Sequence, residues 1–389
     1  VKFAASASEM AIYLDNAATT PVRKEVLLAM EPYFSEKYGN PSSMHQLGLE
    51  ANYAVSESRE KIANILNCAS DEIIFTSGGT ESVNFAIKGT AFAHKKGNII
   101  TQKTEHHAVL HTCKWLETRG FEITYLNVDK FGLVNLKDVE SAIKKDTILV
   151  SIMYANNEIG TIQPIKEIAD ICKRKKVLFH TDACQAAGYS DIDVKKLGID
   201  LMTINGSKIY GPKGVGLLYV KKGVRLTPLI HGGGQEFGLR SGTENVPAIV
   251  GFAKALELAQ KEKEIESKRL TILRDKLISE LLKIPNSRLN GHPTTRLPNN
   301  ANISFYGVEG ESVLLMLNEK GIFASTGSAC SARSLEPSHV LLAIGLKHDW
   351  AHGSIRFSLG QTTSKTDIDH VLRVFPKIIS DLRGISPVK

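Results

Sequence analysis

The sequence predicts an α/β protein: a large domain built on a mostly parallel sheet covered on both faces, followed by a small α+β domain. Three observations carry this. A chain of 389 residues can bury two cores. From Ile73 to Val220, short apolar runs alternate with helical stretches, as strands joined by helical crossovers do. Beyond a long polar-faced helical stretch, Val246 to about Leu282, the strands shorten and mix with helices. The domain change is expected within that stretch. Residues 17–260 then form the large domain, and residues 1–16 and 261–389 the small one.

The elements follow in order. Ile12 to Leu14 is a short apolar start, and Asp15 to Pro21 a turn. Pro21 suits the first turn of a helix through Met30. Tyr38-Gly39-Asn40-Pro41-Ser42-Ser43 reads as a loop, and about Leu49 to Leu66 as a helix. Ile73 to Phe75 is a buried strand that runs through Thr76-Ser77-Gly78-Gly79-Thr80-Glu81-Ser82 into a helix. Strands are predicted at Asn98–Thr101, Phe121–Val128, Thr147–Met153, Val177–Thr181, Leu201–Ile204 and Gly216–Val220. Helices are predicted at Glu105–Arg119, Leu136–Lys144 and Ile165–Lys175. In the small domain, strands fall at Arg288–Leu289, Asn302–Phe305, Phe323–Ala324 and Ser354–Phe357. Its helices fall near Ser312–Lys320, Pro337–Ala343 and Thr366–Leu382.

Composition narrows the classes. The hydrophobic and charged fractions, 42% and 23%, are those of a soluble globular protein. No apolar run is long enough to span a bilayer. Val1 to Ala11 has no sustained apolar core, so it reads as a loose tail rather than a secretory signal. The net charge of +7 is spread along the chain without a basic stripe carrying aromatics, which disfavours nucleic acid as a partner. Five cysteines without a CxxC or a regular framework fit a reducing compartment, and the expected location is the cytoplasm.

Chemistry concentrates at the carboxyl ends of the strands, where open α/β sheets place their sites. Glu105 and His106 follow one strand, and Asn156, Asn157 and Glu158 another. Asp182 and Gln185 follow a third, and Asn205, Ser207 and Lys208 a fourth. The strand–glycine–helix junction at Gly78-Gly79-Thr80 offers free N–H groups and a positive dipole end, suited to phosphate. Lys208 leaves a rigid strand and enters the Gly211-Pro212-Lys213-Gly214 turn, a placement that suits a lysine reaching into a cleft. Cys330 sits among tiny residues with nothing apolar to pack against, so a reactive thiol is expected there. His107 and His111 lie four apart on a predicted helix, but no third ligand spacing supports a metal site. One cofactor accounts for a releasable lysine, an anion-binding helix start and an aspartate on a neighbouring strand. It is pyridoxal 5′-phosphate, whose aldehyde, phosphate and ring nitrogen need those three partners.

The chain closely resembles the class V aminotransferase-like cysteine desulfurases of the NifS/IscS type, from Tyr13 to about Leu382. The matching stretches are Tyr13 to Pro21, Tyr38 to Ser43, Thr76 to Ser82, Thr104-Glu105-His106, Ala155 to Gly160, Lys208 to Gly214, Arg240-Ser241-Gly242-Thr243 and Ser325 to Cys330. The resemblance implies fold type I of the pyridoxal phosphate enzymes, with a seven-stranded sheet. It implies Lys208 as the lysine that binds the cofactor aldehyde, His106 as an acid–base group stacked on the ring, and Asp182 as the partner of the ring nitrogen. Gln185 and Asn157 would contact the ring oxygen or the substrate, and Gly79, Thr80, Asn205 and Ser207 the phosphate. Thr243 would reach the phosphate of the other subunit of a homodimer. Arg356 would clamp the substrate carboxylate, and Cys330 would accept sulfur as a persulfide.

The implied reaction converts L-cysteine to L-alanine, with an IscU-type scaffold as the suggested sulfur acceptor for iron–sulfur cluster assembly. The sequence departs from the family at Ser207 and Asn205, where histidine and serine are usual. Both residues still hydrogen-bond, so phosphate binding is expected to survive. Three other readings stay open: a selenocysteine lyase, an enzyme that delivers sulfur to tRNA, and a non-catalytic assembly partner. In the last, Cys330 would be a transient iron–sulfur cluster ligand and Lys208 idle.

Overall fold

The computed structural model describes residues 11–326 and 337–385. Strand β1 (Ile12–Tyr13) precedes helices α1 (Lys24–Met30), α2 (Pro32–Ser35) and α3 (Gln46–Leu66). The alternating part follows: β2 (Ile73–Thr76), α4 (Gly79–His94), β3 (Asn98–Gln102), α5 (His107–Glu117), β4 (Glu122–Leu126), α6 (Leu136–Ala142), β5 (Thr147–Ser151), α7 (Ile165–Lys175), β6 (Leu178–Asp182), α8 (Val194–Leu197), β7 (Leu201–Asn205) and β8 (Gly216–Val220). The long helix α9 (Val246–Leu281) leads to β9 (Ser287–Asn290), β10 (Asn300–Phe305), α10 (Gly310–Glu319), β11 (Ile322–Phe323), α11 (His339–Ala343), α12 (His348–His352), β12 (Ser354–Ser358) and α13 (Lys365–Ile385).

Among the described residues, seven strands form one sheet in the order β2-β8-β7-β6-β5-β3-β4. β8 pairs antiparallel with both β7 and β2, and the other pairs are parallel. The segment from β7 to β8 holds no crossover helix, so the chain must reverse there. The reversal leaves β2, β3, β5, β6 and β7 ending at one edge, where their carboxyl ends build a common site.

Alternation along the strands feeds a core on each face. Ile73, Phe75, Ile100, Val150, Phe179, Ile204 and Leu217 pack with α3, α7 and the first half of α9. Ile74, Ile99, Leu149, Leu201 and Leu218 pack with α4 and α5. Phe179 is fully buried, and such a side chain contributes roughly 3–5 kcal/mol measured against alanine.

Helix α9 serves two cores. Val246 to Leu256 join the large-sheet cluster, whereas Leu270 to Leu281 join a second one with β10, β12, α10 and α13. The sheet β12-β10-β9 is antiparallel, and β1 pairs in parallel with β11 beside it. The N-terminal segment thus crosses to the smaller sheet before entering the larger part.

The start of α1 differs from expectation. Pro21 precedes the helix, and Arg23 is still extended, with φ −66° and ψ 150°. Two long-range contacts hold it so: the Arg23 N–H donates to the Tyr210 carbonyl at 3.1 Å, and its guanidinium pairs with Glu262 of α9 at 2.7 Å. The sequence reading places no helix at α2, α8 or α12.

Candidate active site

A cleft of about 400 Å³ opens at the carboxyl ends of the strands. Lys208 enters it from the single turn Gly206–Lys208 that ends β7. A Cβ on Gly206 would sit 2.7 Å from the Pro212 carbonyl oxygen, so that tight turn requires glycine. The Lys208 ammonium donates to the carbonyl of Ala18 in the loop after β1.

The junction of β2 and α4 supplies the opposite wall. Gly78 has φ +148°, a conformation side chains rarely adopt. The first-turn N–H groups of α4 have no intrahelical acceptor and carry the positive end of its dipole. A Cβ on Gly79 would lie 2.8 Å from the Cys184 sulfur, so helix start and β6 wall approach closely only without a side chain. Glu81 braces the turn: one carboxylate oxygen accepts the Ser77 N–H at 2.8 Å, and Arg240 pairs with the other at 2.9 Å. Burial pushes the Glu81 carboxyl up, but Arg240 and Ser77 outweigh it and hold the group below its usual range. Asn205 also lines the cleft, and its Oδ1 is buried with no hydrogen-bond partner among the described residues.

Asp182 closes β6 with its carboxylate fixed, Oδ1 accepting the Cys184 N–H at 2.9 Å. His106 precedes α5 and caps it, Nδ1 accepting the Ala108 N–H at 3.1 Å. The neutral ring therefore carries its proton on Nε2. Burial lowers the His106 pKa, Asp182 opposes this, and the Lys208 charge adds to it. Gln185 is oriented by donating to the Ala17 carbonyl at 2.9 Å.

The small sheet contributes Arg356 of β12. Its guanidinium donates to Asp15 Oδ1 at 2.8 Å and to the Asn157 carbonyl at 2.9 Å. The backbone of Arg356 also bonds with Ser325, where the chain leaves the described residues toward Cys330. A second tie lies just after the undescribed stretch. The Ser338 hydroxyl hydrogen-bonds Glu158, and His339 Nε2 lies 2.9 Å from the Glu105 carbonyl oxygen.

Gly79, Thr80, His106, Asn157, Asp182, Gln185, Asn205, Lys208 and Arg356 thus all line one cleft. Ser207 is not among the lining residues. It shares a single tight turn with Lys208, and its carbonyl accepts from the Thr20 N–H and hydroxyl instead. Thr243 is exposed and does not line the cleft within this chain. Cys330 lies outside the described residues. The sequence did not point to Asp15, Cys184 or His339. Asp15 stands within the Tyr13 to Pro21 motif, which was the available signal.

An amine, a carboxylate, an imidazole, a helix N-terminus and an arginine converge here. That donor set is able to hold an aromatic aldehyde phosphate and a small carboxylate.

Known proteins agree with this geometry. The family model described as aminotransferase class-V matches residues 12–371. The chain is 58% identical over 385 residues to a cysteine desulfurase IscS of Methanosarcina thermophila, covering 98% of this chain and 95% of that one. A solved NifS-like protein superposes with a TM-score of 0.91 at 42% identity, covering 96% of this chain and 100% of that one. SspA, solved in complex with cysteine, gives 0.79 at 40% identity over 90% of this chain and 98% of its own. The chain belongs to the aminotransferase class-V family, among its NifS/IscS-type cysteine desulfurases.

Proposed function

We propose that this chain is a pyridoxal 5′-phosphate-dependent cysteine desulfurase that converts L-cysteine to L-alanine and carries the released sulfur on Cys330. The observation that carries this reading is the convergence of Lys208, Asp182, His106 and Arg356 on one cleft. When bound, the cofactor supplies an aldehyde for amines and a ring that withdraws electrons from the substrate α-carbon.

The residues divide the remaining work. Gly79, Thr80 and Asn205 hold the phosphate with the α4 N-terminus, and Ser207 assists from the adjoining turn. Asp182 would keep the ring nitrogen protonated, and Gln185 would meet the ring oxygen. Arg356 takes the substrate carboxylate in its planar fork, with Asp15 and the Asn157 carbonyl fixing the guanidinium. Asn157 borders the substrate. Lys208 Nζ would hold the cofactor aldehyde, and as a free amine it would move the substrate α proton. His106 exchanges a proton at Nε2.

Sulfur transfer balances as displacement at sulfur with carbon as the leaving group, the sulfur being oxidised as the substrate carbon is reduced. The Cys330 thiolate attacks the substrate sulfur, the carbon–sulfur bond breaks, and its electron pair stays with the carbon skeleton. Protonation then yields alanine, and the enzyme keeps one added sulfur as a persulfide.

Thr243 is read as completing the phosphate site of a second copy in a homodimer. The exposed apolar side chains Leu27, Leu28, Phe34, Tyr38, Leu49 and Tyr53, gathered on and between α1 and α3, support such an assembly. We place the domain boundary at residue 260, between the two core segments of α9. A cytoplasmic location and an IscU-type scaffold as sulfur acceptor complete the reading.

Incubation with L-cysteine and a reductant tests it. Alanine and sulfide form in equal amounts, and Lys208→Ala lowers the rate by at least about 10²-fold. Sulfide without alanine, or an undiminished Lys208→Ala rate, contradicts it.

A further inference from the structure

Glu105 is a cleft residue that the proposed chemistry does not use. It is 1% exposed, and it stands between Thr104 and His106 at the end of β3. Its Oε1 accepts two hydrogen bonds, from the Met153 N–H at 2.7 Å and from Gln102 Nε2 at 2.9 Å. Its Oε2 is buried and has no hydrogen-bond partner among the described residues. Among the described residues, no cation is hydrogen-bonded to this carboxyl group. An ionised carboxylate placed so would be desolvated with half its charge unanswered, an arrangement proteins avoid by neutralising the group.

The contacts also have a geometric consequence. Met153 leads to Asn157, and Gln102 leads to His106. The bond from Met153 to Glu105 therefore ties together two segments that carry site residues. Asn156 adds a parallel tie, its amide donating to the Thr104 carbonyl at 2.8 Å.

We infer that Glu105 works as a neutral carboxylic acid: its Oε1 holds the His106 and Asn157 segments in register, its Oε2 carries the proton, and Asp182 is left without a second carboxylate charge beside it. Glu105 is a positioning residue. The titratable groups that face it are Asp182 of β6 and the Cys113 thiol of α5, with the His339 ring of α11 on its carbonyl. Burial pushes the Glu105 carboxyl up from 4.5 to about 8, and the Asp182 charge acts in the same direction. The Met153 and Gln102 bonds pull the other way without cancelling this.

The linkage has a definite sign. Between about 4.5 and about 8, the unfolded chain has released this proton and the folded chain keeps it. Stability therefore falls across that window as pH rises, then levels. Glutamine reproduces the neutral shape, one acceptor and one donor, and removes the titration.

The test is the melting temperature of the full-length protein against pH, with and without pyridoxal phosphate, for the unsubstituted chain, Glu105→Gln and Glu105→Ala. The expected result is that wild type loses stability relative to Glu105→Gln from about pH 4.5 to about pH 8. A difference that stays constant across the window overturns the proposal, as does a Glu105→Gln protein that does not fold.

The consequence for turnover rests on the desulfurase reading, but the melting test does not, so the two can fail separately. With L-cysteine, Glu105→Ala loses about tenfold or more in kcat with KM little changed, and Glu105→Gln restores most of it. A Glu105→Gln variant as slow as Glu105→Ala would show that the proton, not the placement, is what catalysis needs, and would also overturn the positioning role.

Discussion

His106 shows how much one residue's surroundings decide. Its Nδ1 is committed to the Ala108 N–H, so only Nε2 faces chemistry. Burial holds its pKa below 6.5, so the ring is neutral through the neutral range and protonates only further into acid. Nε2–H is then a hydrogen-bond donor toward the cleft, and the positive imidazolium is avoided near Lys208. The acid limb of kcat/KM should lie below pH 6.5, with activity falling as pH drops through it. Replacing His106 with Gln should abolish that limb and cost roughly 10²-fold or more in kcat. A limb that persists unchanged in His106→Gln assigns it to another group.

At the scale of elements, the close approach of α4 to β6 is the feature most specific to this cleft. Gly79 tolerates any ordinary helical residue by its backbone, so the requirement comes from the Cys184 sulfur 2.8 Å from where a Cβ would stand. Gly79→Ala should therefore push the helix start outward at a cost of about 1–3 kcal/mol and weaken cofactor binding. Cys184→Ala in the same chain should recover most of that loss. The measurement is cofactor affinity in all four combinations, and additive losses would refute the coupling.

The same scale shows what the sequence could and could not disclose. Strands β5 to β8 were legible because largely buried strands carry short apolar runs, β8 being buried and apolar throughout its length after Gly216. Helix α7 was legible in both bounds, and the residue just after it, Lys176, takes the left-handed conformation that stops it. The start of α1 was not, since a proline suits an extended approach as well as a first turn, and contacts with Tyr210 and Glu262 decided it. Lys208, Asp182 and His106 could be found because strand ends announce themselves. The Asp15–Arg356 pair joins residues 341 apart, so no local pattern could reveal it.

At the scale of the molecule, the cleft is where two cores meet. Five strand ends come from the large sheet, Arg356 comes from the small one, and Asp15 follows the strand that crosses between them. Helix α9 runs through both cores and fixes their spacing. The stretch carrying Cys330 leaves from Ser325, whose backbone is bonded to Arg356, and returns at Ser338, which is bonded to Glu158. The described ends of that stretch are thus tied to the wall that carries Arg356 and Glu158. The central claim is that sulfur taken from cysteine in this cleft arrives on that one thiol. Peptide mass spectrometry after a single addition of L-cysteine without reductant measures it directly. The account predicts one added sulfur on the peptide containing Cys330 and none in Lys208→Ala. An unmodified Cys330 with alanine still formed, or sulfur on Cys184 instead, would contradict it.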